Sequence, residues 1–429
     1  MSKVFITTLG CPKNEADSNH LLDLLVKEGI YHTDNPAEAS LILVNTCGFI
    51  NDAKEESIEE ILRFIELRAS GQRILVFGCL AKRYKEELMK EIPEIDALWG
   101  IGDEQLIVQY CKNHVKAINK KSPLVPMSFN SQPYEYLKIA DGCNRHCTFC
   151  IIPKIKGHFK SEHPDNILKK AQNAIIAGKK ELILVAQDLT SYGSDNGYSL
   201  ERLIDDIASI SGDFWLRLMY LYPLSVDELL LQKIKTEDKV CKYLDIPLQH
   251  SKDKILRAMG RGINNDYINF LTNIRKEIPD VVLRTAFIVG FPGEEEDDFM
   301  GLLDFIQEIQ FDRLGVFAYS REEGTKAFKM KPVLPRYVIK HRIDRLMELQ
   351  ADISYKKNIA YVNKSFKALI DEKDSAGNTF ARLYSHAPDV DGCVFIENVS
   401  NNVTGEFVNV KITNAHTYDL IGEVYTKTN

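Results

Sequence analysis

The sequence predicts an α/β protein in three parts: a parallel, doubly wound sheet, then a partial barrel of six β-α units, then a small all-β barrel. Short apolar runs alternate with amphipathic ones through the first part and again, six times, in the centre, which is the pattern of strands joined through helices. From about Ser365 the pattern changes to short runs rich in β-branched and aromatic residues, punctuated by Gly, Asn and Asp. The length, 429 residues, suits about three domains, each able to bury its own core.

In the first part KVFITTLG reads as a strand and ADSNHLLDLLVKEG as a helix. LILVNTC and RILVFGC are further strands, followed by helices through DAKEESIEEILRFIELRAS and AKRYKEELMKEI. Cys11, Cys47 and Cys79 each fall at or just beyond the C-terminal end of one of these strands. Ligands bind at that edge of an open α/β sheet, so three residues distant in sequence converge on one crevice. Helix N-termini facing the edge favour an anionic thiolate group. Three lone cysteines in such a sheet would ordinarily be core residues; their shared placement argues for a ligand set.

Between about Val115 and Pro133 the pattern weakens, and SPLVPMSFNSQP reads as a linker. Domains are expected over residues 1–115, 129–360 and 361–429. The central strands are YLKIADGC, ELILVAQD, WLRLMYLYP, CKYLDIPLQH, VVLRTAFIVGFPGE and RLGVFAYS. Six units suggest an open barrel with its chemistry at the C-terminal strand ends. Polar residues gather there: Gln187 and Asp188, Gln249 and His250, Glu294. His250 reads equally as a satisfied structural histidine. The acidic run from Glu294 to Asp298 suits the first turn of a helix, and the glycines of GFPG permit close backbone approach. PRYVIKHRIDRLMELQADISYKKNIAYV is a long amphipathic helix leading outward. FKALIDE, TFARLYS, GCVFIEN, GEFVNVKIT and LIGEVYT are the strands of the terminal barrel.

Composition narrows the function. A net charge of −7 gives no support to broad nucleic-acid binding. No apolar stretch is of signal-peptide or membrane-spanning type, so the chain is expected in the cytoplasm. Nine cysteines in a cytosolic chain argue for metal ligation over disulfides. Cys143, Cys147 and Cys150, in DGCNRHCTFC, form a second triad at a spacing that wraps one iron–sulfur cluster, with Gly142 and Asn144 permitting a tight turn. A zinc knuckle is the alternative, with His146 or His158 as fourth ligand. Three thiolates leave one iron of a four-iron cluster open. Cys111, Cys241 and Cys393 have no ligand spacing and read as core or incidental.

A CxxxCxxC loop that opens a six-unit β-α segment resembles the radical S-adenosylmethionine superfamily. That resemblance implies a 4Fe–4S cluster whose open iron is chelated by S-adenosylmethionine, and a 5′-deoxyadenosyl radical on reductive cleavage. The cofactor carries the hard chemistry and the protein supplies binding and orientation. By position, Gln187, Arg217, Gln249 and Gly290 are the expected cofactor-binding residues. Many members carry Gly-Gly-Glu where this chain has Gln187-Asp188. Arg217 and Gln249 read equally as satisfying buried backbone groups. No catalytic base is assigned.

TLGCPKN, VNTCGFI with AKEES, and GCLAKRY resemble the N-terminal Rossmann-like domain of methylthiotransferases, which implies a second 4Fe–4S cluster on Cys11, Cys47 and Cys79 as the sulfur donor. Members acting on tRNA adenosine typically show Gln-Met-Asn after the first cysteine. This chain has Pro12-Lys13-Asn14, together with CTFCIIP, QDLTSYG, APDVDG and YDLIGE. These words are similar to the ribosomal-protein methylthiotransferase (RimO) family over essentially the whole chain. The resemblance implies methylthiolation of the β-carbon of an aspartate in small-subunit ribosomal protein twelve, by a monomer served by a reductant such as a flavodoxin, with nucleic acid met only through the ribosome. Lys156-Gly157, KSEHP and His386 depart from the family's Arg-Gly, Ser-Arg-Pro and Asp. The last part resembles a TRAM domain, often an RNA-binding module. From Tyr361 onward it holds six Lys and Arg against nine Asp and Glu, a balance suited to a basic protein partner.

Overall fold

In the computed structural model, which describes residues 3–115, 132–262, 267–374, 377–397 and 404–425, the first part is a five-stranded parallel sheet of order β2-β1-β3-β4-β5. Its strands are β1 (Lys3–Thr8), β2 (Tyr31–His32), β3 (Leu41–Thr46), β4 (Arg73–Gly78) and β5 (Ala97–Leu98). The helices are α1 (Pro12–Lys27), α2 (Asn51–Leu67), α3 (Cys79–Arg83), α4 (Lys85–Glu91) and α5 (Glu104–His114). Every residue of β3 is buried, as a central parallel strand covered on both faces demands. One face packs Val4, Leu43 and Leu75 under α1 and α5; the other packs Ile42, Val44 and Ile74 under α2 and α4. The edge strands β2 and β5 were not expected: at two residues each they are too short to show a period. Most of the proposed linker, residues 116–131, lies outside the described residues.

The central part has the six expected parallel strands: β6 (Tyr134–Lys138), β9 (Glu181–Val185), β10 (Trp215–Leu218), β11 (Tyr243–Asp245), β12 (Val282–Val289) and β13 (Arg313–Ala318). They form two three-stranded sheets joined by a bridge between Leu216 and Val240. The short ribbon β7 (Ala140–Asp141) with β8 (Lys160–Ser161) brackets the CxxxCxxC loop and its helix α6 (Ile152–Lys156). Helices α7 (Pro164–Ile176), α8 (Leu200–Ala208), α9 (Glu228–Thr236), α10 (Asp253–Met259), α11 (Tyr267–Glu277) and α12 (Glu296–Ile309) alternate with the strands. The main core includes Leu182, Leu184, Leu216, Leu218 and Phe287 against these helices. Helix α13 (Arg336–Ile359) does not lead outward. It lies on β12, β13 and α12 and reaches the terminal barrel, where Asn358 Nδ2 donates to the carbonyls of His416 and Thr417.

The last part is a closed five-stranded barrel: β14 (Ser365–Lys373), β15 (Thr379–Leu383), β16 (Val394–Glu397), β17 (Phe407–Ala415) and β18 (Leu420–Val424). It plugs the inner face of the central barrel. Leu369 and Ala387 pack with Tyr136, Ile183, Trp215 and Tyr243. The hydroxyls of Tyr134 and Tyr136 each donate to Asp389 at 2.9 Å, and that of Tyr243 to Asp391 at 2.6 Å. The APDVDG segment is thus a docking loop. Three of the domain's acids, Asp371, Asp389 and Asp391, are spent inside the chain on Arg382, the two tyrosines and Arg284 rather than offered to a partner.

Candidate active site

The upstream triad forms where β1, β3 and β4, neighbours in the sheet, reach their C-terminal ends. Cys11 is the N-cap of α1, Cys47 follows β3 directly, and Cys79 opens α3. Asn14 ties the strand ends together: its Nδ2 donates to the Leu9 carbonyl at 2.8 Å, and the Cys79 thiol donates to its Oδ1 at 3.8 Å. Ser57 both accepts from the Cys47 amide and donates to its carbonyl, each at 3.0 Å. Gly10 has φ +96°, and a Cβ there would sit 2.7 Å from that of Cys47. The thiols lie close enough to oppose one another's ionisation. Burial pushes those of Cys47 and Cys79 up, the latter to about 12. Nearby positive charge from Lys13 and Lys156 works the other way.

The central triad lies on the loop after β7. The Cys143 amide donates to the Gly157 carbonyl at 3.2 Å, and Gly142, at φ +73°, passes so near His158 that a Cβ would lie 2.1 Å from its carbonyl oxygen. The Arg145 amide donates to Cys143 Sγ at 3.4 Å and Arg261 Nη1 to Cys147 Sγ at 3.9 Å. Burial raises the Cys143 thiol and takes Cys150 to about 12. Donors aimed at sulfur, and thiols that burial keeps protonated, suit thiolates created by metal loading. His146 and His158 are exposed, the latter bonded to Asn144 at 3.3 Å. Among the described residues no three His, Cys, Asp or Glu side chains gather as a single ion requires. The zinc alternative therefore gains no fourth ligand, whereas a cluster of separate irons spreads its thiolates wider.

One cysteine of the upstream triad reaches the helix that follows the central loop. Cys79 packs against Ile151, the residue after Cys150, and against Ile155, with Phe49 and Ile101 beside them. Lys156, buried on α6, pairs with Asp17 and Asp141, each at 3.3 Å, and Lys138 pairs with the same two acids. Lys54 and Arg83 clasp Glu322 at 3.0 and 2.6 Å. These ion pairs hold the first domain over the strand ends of the second. The Lys156 departure from the family pattern thus lies in the domain contact.

The expected cofactor residues divide. Gln187, two residues past β9, has both amide atoms buried and unpartnered. Gln249 is held at φ +72° while its backbone joins Ala286 and Ile288 of β12, at 2.8 Å each. Arg217 lies elsewhere: fully buried, it is drawn back to Glu181, the first residue of β9, at 2.6 Å, and to the Tyr384 carbonyl at 2.8 Å. The Gly290 amide donates to Glu294 at 2.8 Å, and a Cβ there would strike Ile339, so the close approach is to α13. Glu294, paired with Arg342, braces that turn. His250 is fully buried with Nδ1 accepting from the Lys252 amide at 3.0 Å, and burial lowers it to about 4, so it is neutral. Cys111 and Cys241 are core residues, and Cys393 lies beside Asp419.

Sequence reading missed Arg145, Tyr222 and Arg261. Arg145 pairs with Asp188 at 2.6 Å and stacks on Tyr222 at 3.8 Å; Arg261 stacks on the same ring at 4.6 Å with its Nε unpartnered. The one available signal was the place of Arg145 inside the cysteine loop.

Three stretches of the chain match known family models. Residues 3–100 match the Uncharacterized protein family UPF0004, 137–306 the Radical SAM superfamily and 362–424 the TRAM domain. The radical S-adenosylmethionine methyltransferase TsrM from Kitasatospora setae, solved with cobalamin and a 4Fe–4S cluster, shares the fold at TM-score 0.54 and 12% identity, over 76% of this chain and 77% of its own. The ribosomal protein uS12 methylthiotransferase RimO of Thermodesulfovibrio yellowstonii is 50% identical over 99% of this chain and all of its own length. That of Acetivibrio thermocellus is 44% identical over 98% of each. With relatives this similar from end to end, and a cysteine of the upstream triad packed beside the central cysteine loop, the chain belongs to the ribosomal protein uS12 methylthiotransferase RimO family.

Proposed function

We infer that this chain inserts a methylthio group at the β-carbon of an aspartate of ribosomal protein uS12. The observation that carries the reading is the packing of Cys79, from the upstream triad, in one cluster with Ile151, the neighbour of Cys150 in the central one. A single redox centre would need only one triad.

The residues fit the groups implied. Cys143, Cys147 and Cys150 would hold one 4Fe–4S cluster and Cys11, Cys47 and Cys79 the other. With S-adenosylmethionine bound, the group on Cys143, Cys147 and Cys150 would supply radical chemistry able to take hydrogen from an unactivated C–H bond, and that on Cys11, Cys47 and Cys79 would supply sulfur. The protein does the rest. Gln187 offers an unpartnered amide and Arg261 an unpartnered N–H to the polar groups of the cofactor. Arg145, locked by Asp188 and stacked on Tyr222, keeps a positive charge beside Cys143. Buried Leu189 and Ile151 keep water from that region. Lys138 and Lys156 fix the distance between the triads.

The substrate assignment places the enzyme in the cytoplasm. No described helix is long and apolar enough to cross a membrane. A low-potential one-electron carrier such as a flavodoxin supplies the electron, and the enzyme works as a monomer.

Mass spectrometry tests the reading, on protein reconstituted anaerobically with iron and sulfide, then given reductant, S-adenosylmethionine and uS12. One methylthio group on the target aspartate is expected. Cys150→Ala should abolish 5′-deoxyadenosine, and Cys47→Ala should keep it while stopping sulfur insertion. A Cys47→Ala enzyme that still methylthiolated uS12 would overturn the donor assignment. A methylthio-adenosine in co-incubated tRNA, with uS12 unchanged, would overturn the substrate.

A further inference from the structure

Beyond the charge it places near Cys47, Lys13 is left without a task by the chemistry above. It is the second residue of α1, two positions after Cys11, and its ammonium lies 3.4 Å from the centroid of the Tyr220 ring, just past the end of β10. Burial strips much of the water from that ammonium. Among the described residues it makes no ion pair, whereas most of the cations around it do. Lys138 and Lys156 have Asp17 and Asp141, Arg145 has Asp188, and Arg284 has Asp245 at 2.9 Å and Asp391 at 3.6 Å. Asp245, the nearest acid on the barrel side, already accepts from Arg284 and from the Tyr220 amide.

Tyr220 is built to this arrangement. It holds φ +65°, a conformation that bulky residues avoid, and is pinned there by its amide on Asp245 and its carbonyl on the Leu189 amide, each at 3.0 Å. The ring seats the ammonium but accepts no full hydrogen bond, so Lys13 keeps its donors for a ligand. A partly desolvated cation with free donors selects an anion, and a carboxylate matches it in charge and hydrogen bonding.

We propose that Lys13 receives the side-chain carboxylate of the substrate aspartate and thereby sets that residue's β-carbon beside the upstream triad. The proposal rests on the function inferred above and names the residue that specifies aspartate. The β-carbon is one bond, roughly 1.5 Å, from the carboxylate carbon, so holding the one fixes the other. Arg261, the other cation here with no carboxylate, is held against Cys147 and Tyr222 and serves the central triad.

The test is binding to the cluster-loaded enzyme, read by anisotropy, of labelled uS12 and of uS12 with its target aspartate changed to asparagine. Iron and sulfide are counted for each variant. The wild type should prefer the aspartate form by roughly ten- to hundredfold, the worth of one hydrogen bond between charged groups. Lys13→Met should bring the ratio to about one with iron unchanged, and Lys13→Arg should keep a preference. A fully loaded Lys13→Met enzyme with the wild-type ratio overturns the proposal. If Lys13→Met sheds iron, the Arg variant decides: preference kept with iron kept supports the proposal, and preference lost with iron kept overturns it. A wild type that modifies uS12 without preferring aspartate sinks the Lys13 role alone. One that neither binds nor modifies uS12 sinks the substrate reading with it.

Discussion

Glu181→Gln tests how the terminal barrel is fastened to the catalytic one. Glu181 is fully buried and accepts from Arg217 Nε and from Arg382 Nη1, each at 2.6 Å. Arg382 lies on β15 of the terminal barrel and also gives two bonds to Asp371, at 2.6 and 2.9 Å. Two guanidinium groups thus face two carboxylates, and the isosteric amide leaves one positive charge uncompensated. Each charge-assisted bond contributes about 1.5–3 kcal/mol, and removing one partner of a buried pair costs about 3–5 kcal/mol. The loss should reach that range because no neighbour can substitute: Arg217 Nη2 already lacks a partner. Burial pushes the Glu181 carboxyl up, but Arg217 and Arg382 outweigh it and the net shift is downward. The contribution is therefore complete above the ordinary carboxylate value of about 4.3 and lost only as pH falls through the lower folded value. Trp215 packs on Phe407 of the terminal barrel at 4.9 Å and reports docking once Trp99, the other tryptophan, is replaced by Phe. Denaturant unfolding at neutral pH should show about 3–5 kcal/mol lost in Glu181→Gln, the gap narrowing in acid. A difference under about 1 kcal/mol would put the pair with exposed surface bridges and refute the reasoning.

Two buried histidines set a second expectation. Burial, joined for His386 by Arg313, Arg382 and Arg217, holds both imidazoles below the ordinary value, His250 at about 4. The unfolded chain binds protons near pH 6.5 and the folded one does not, so stability is full above that value and falls as pH drops below it. The fall should approach about 1.4 kcal/mol per pH unit for each histidine. His386→Asp, which gives Arg313 a carboxylate in place of the imidazole it now meets at 2.6 Å, should roughly halve that slope in unfolding curves between pH 7.5 and 5.5. Gly142→Ala and Gly10→Ala separate the triads: the first drives a Cβ into the His158 carbonyl and should empty the central triad of iron, the second strikes Cys47 and should empty the upstream one. Iron analysis with electron paramagnetic resonance reads both, and loss of both clusters from either variant would contradict two independent sites.

Both the three-part architecture and the places of the six cysteines in it could be read from sequence because each depends on local pattern. A strand run such as LILVNTC announces its own end, and the cysteine at that end is placed without knowing any neighbour. Register across strands is not local, and Arg217 shows the cost. In WLRLMYLYP it is a lone charge near a strand end and reads as a ligand contact. The partner that claims it, Glu181, is another lone charge in another apolar run, ELILV. Trp215 pairs with Glu181 across β10 and β9, which sets Arg217 two residues along on the same face and within reach. Lys13 and Lys156 are similar: Tyr220 and Asp17, which they face, lie in the adjoining domain, a contact that no spacing encodes. A polar residue inside an apolar strand run therefore has two readings, ligand contact or internal partner. An opposite charge two positions back on the neighbouring strand decides between them. Arg217 has one, whereas Gln187, two residues past β9, has both amide atoms buried and unpartnered, so of the two it is Gln187 whose mutation should weaken cofactor binding.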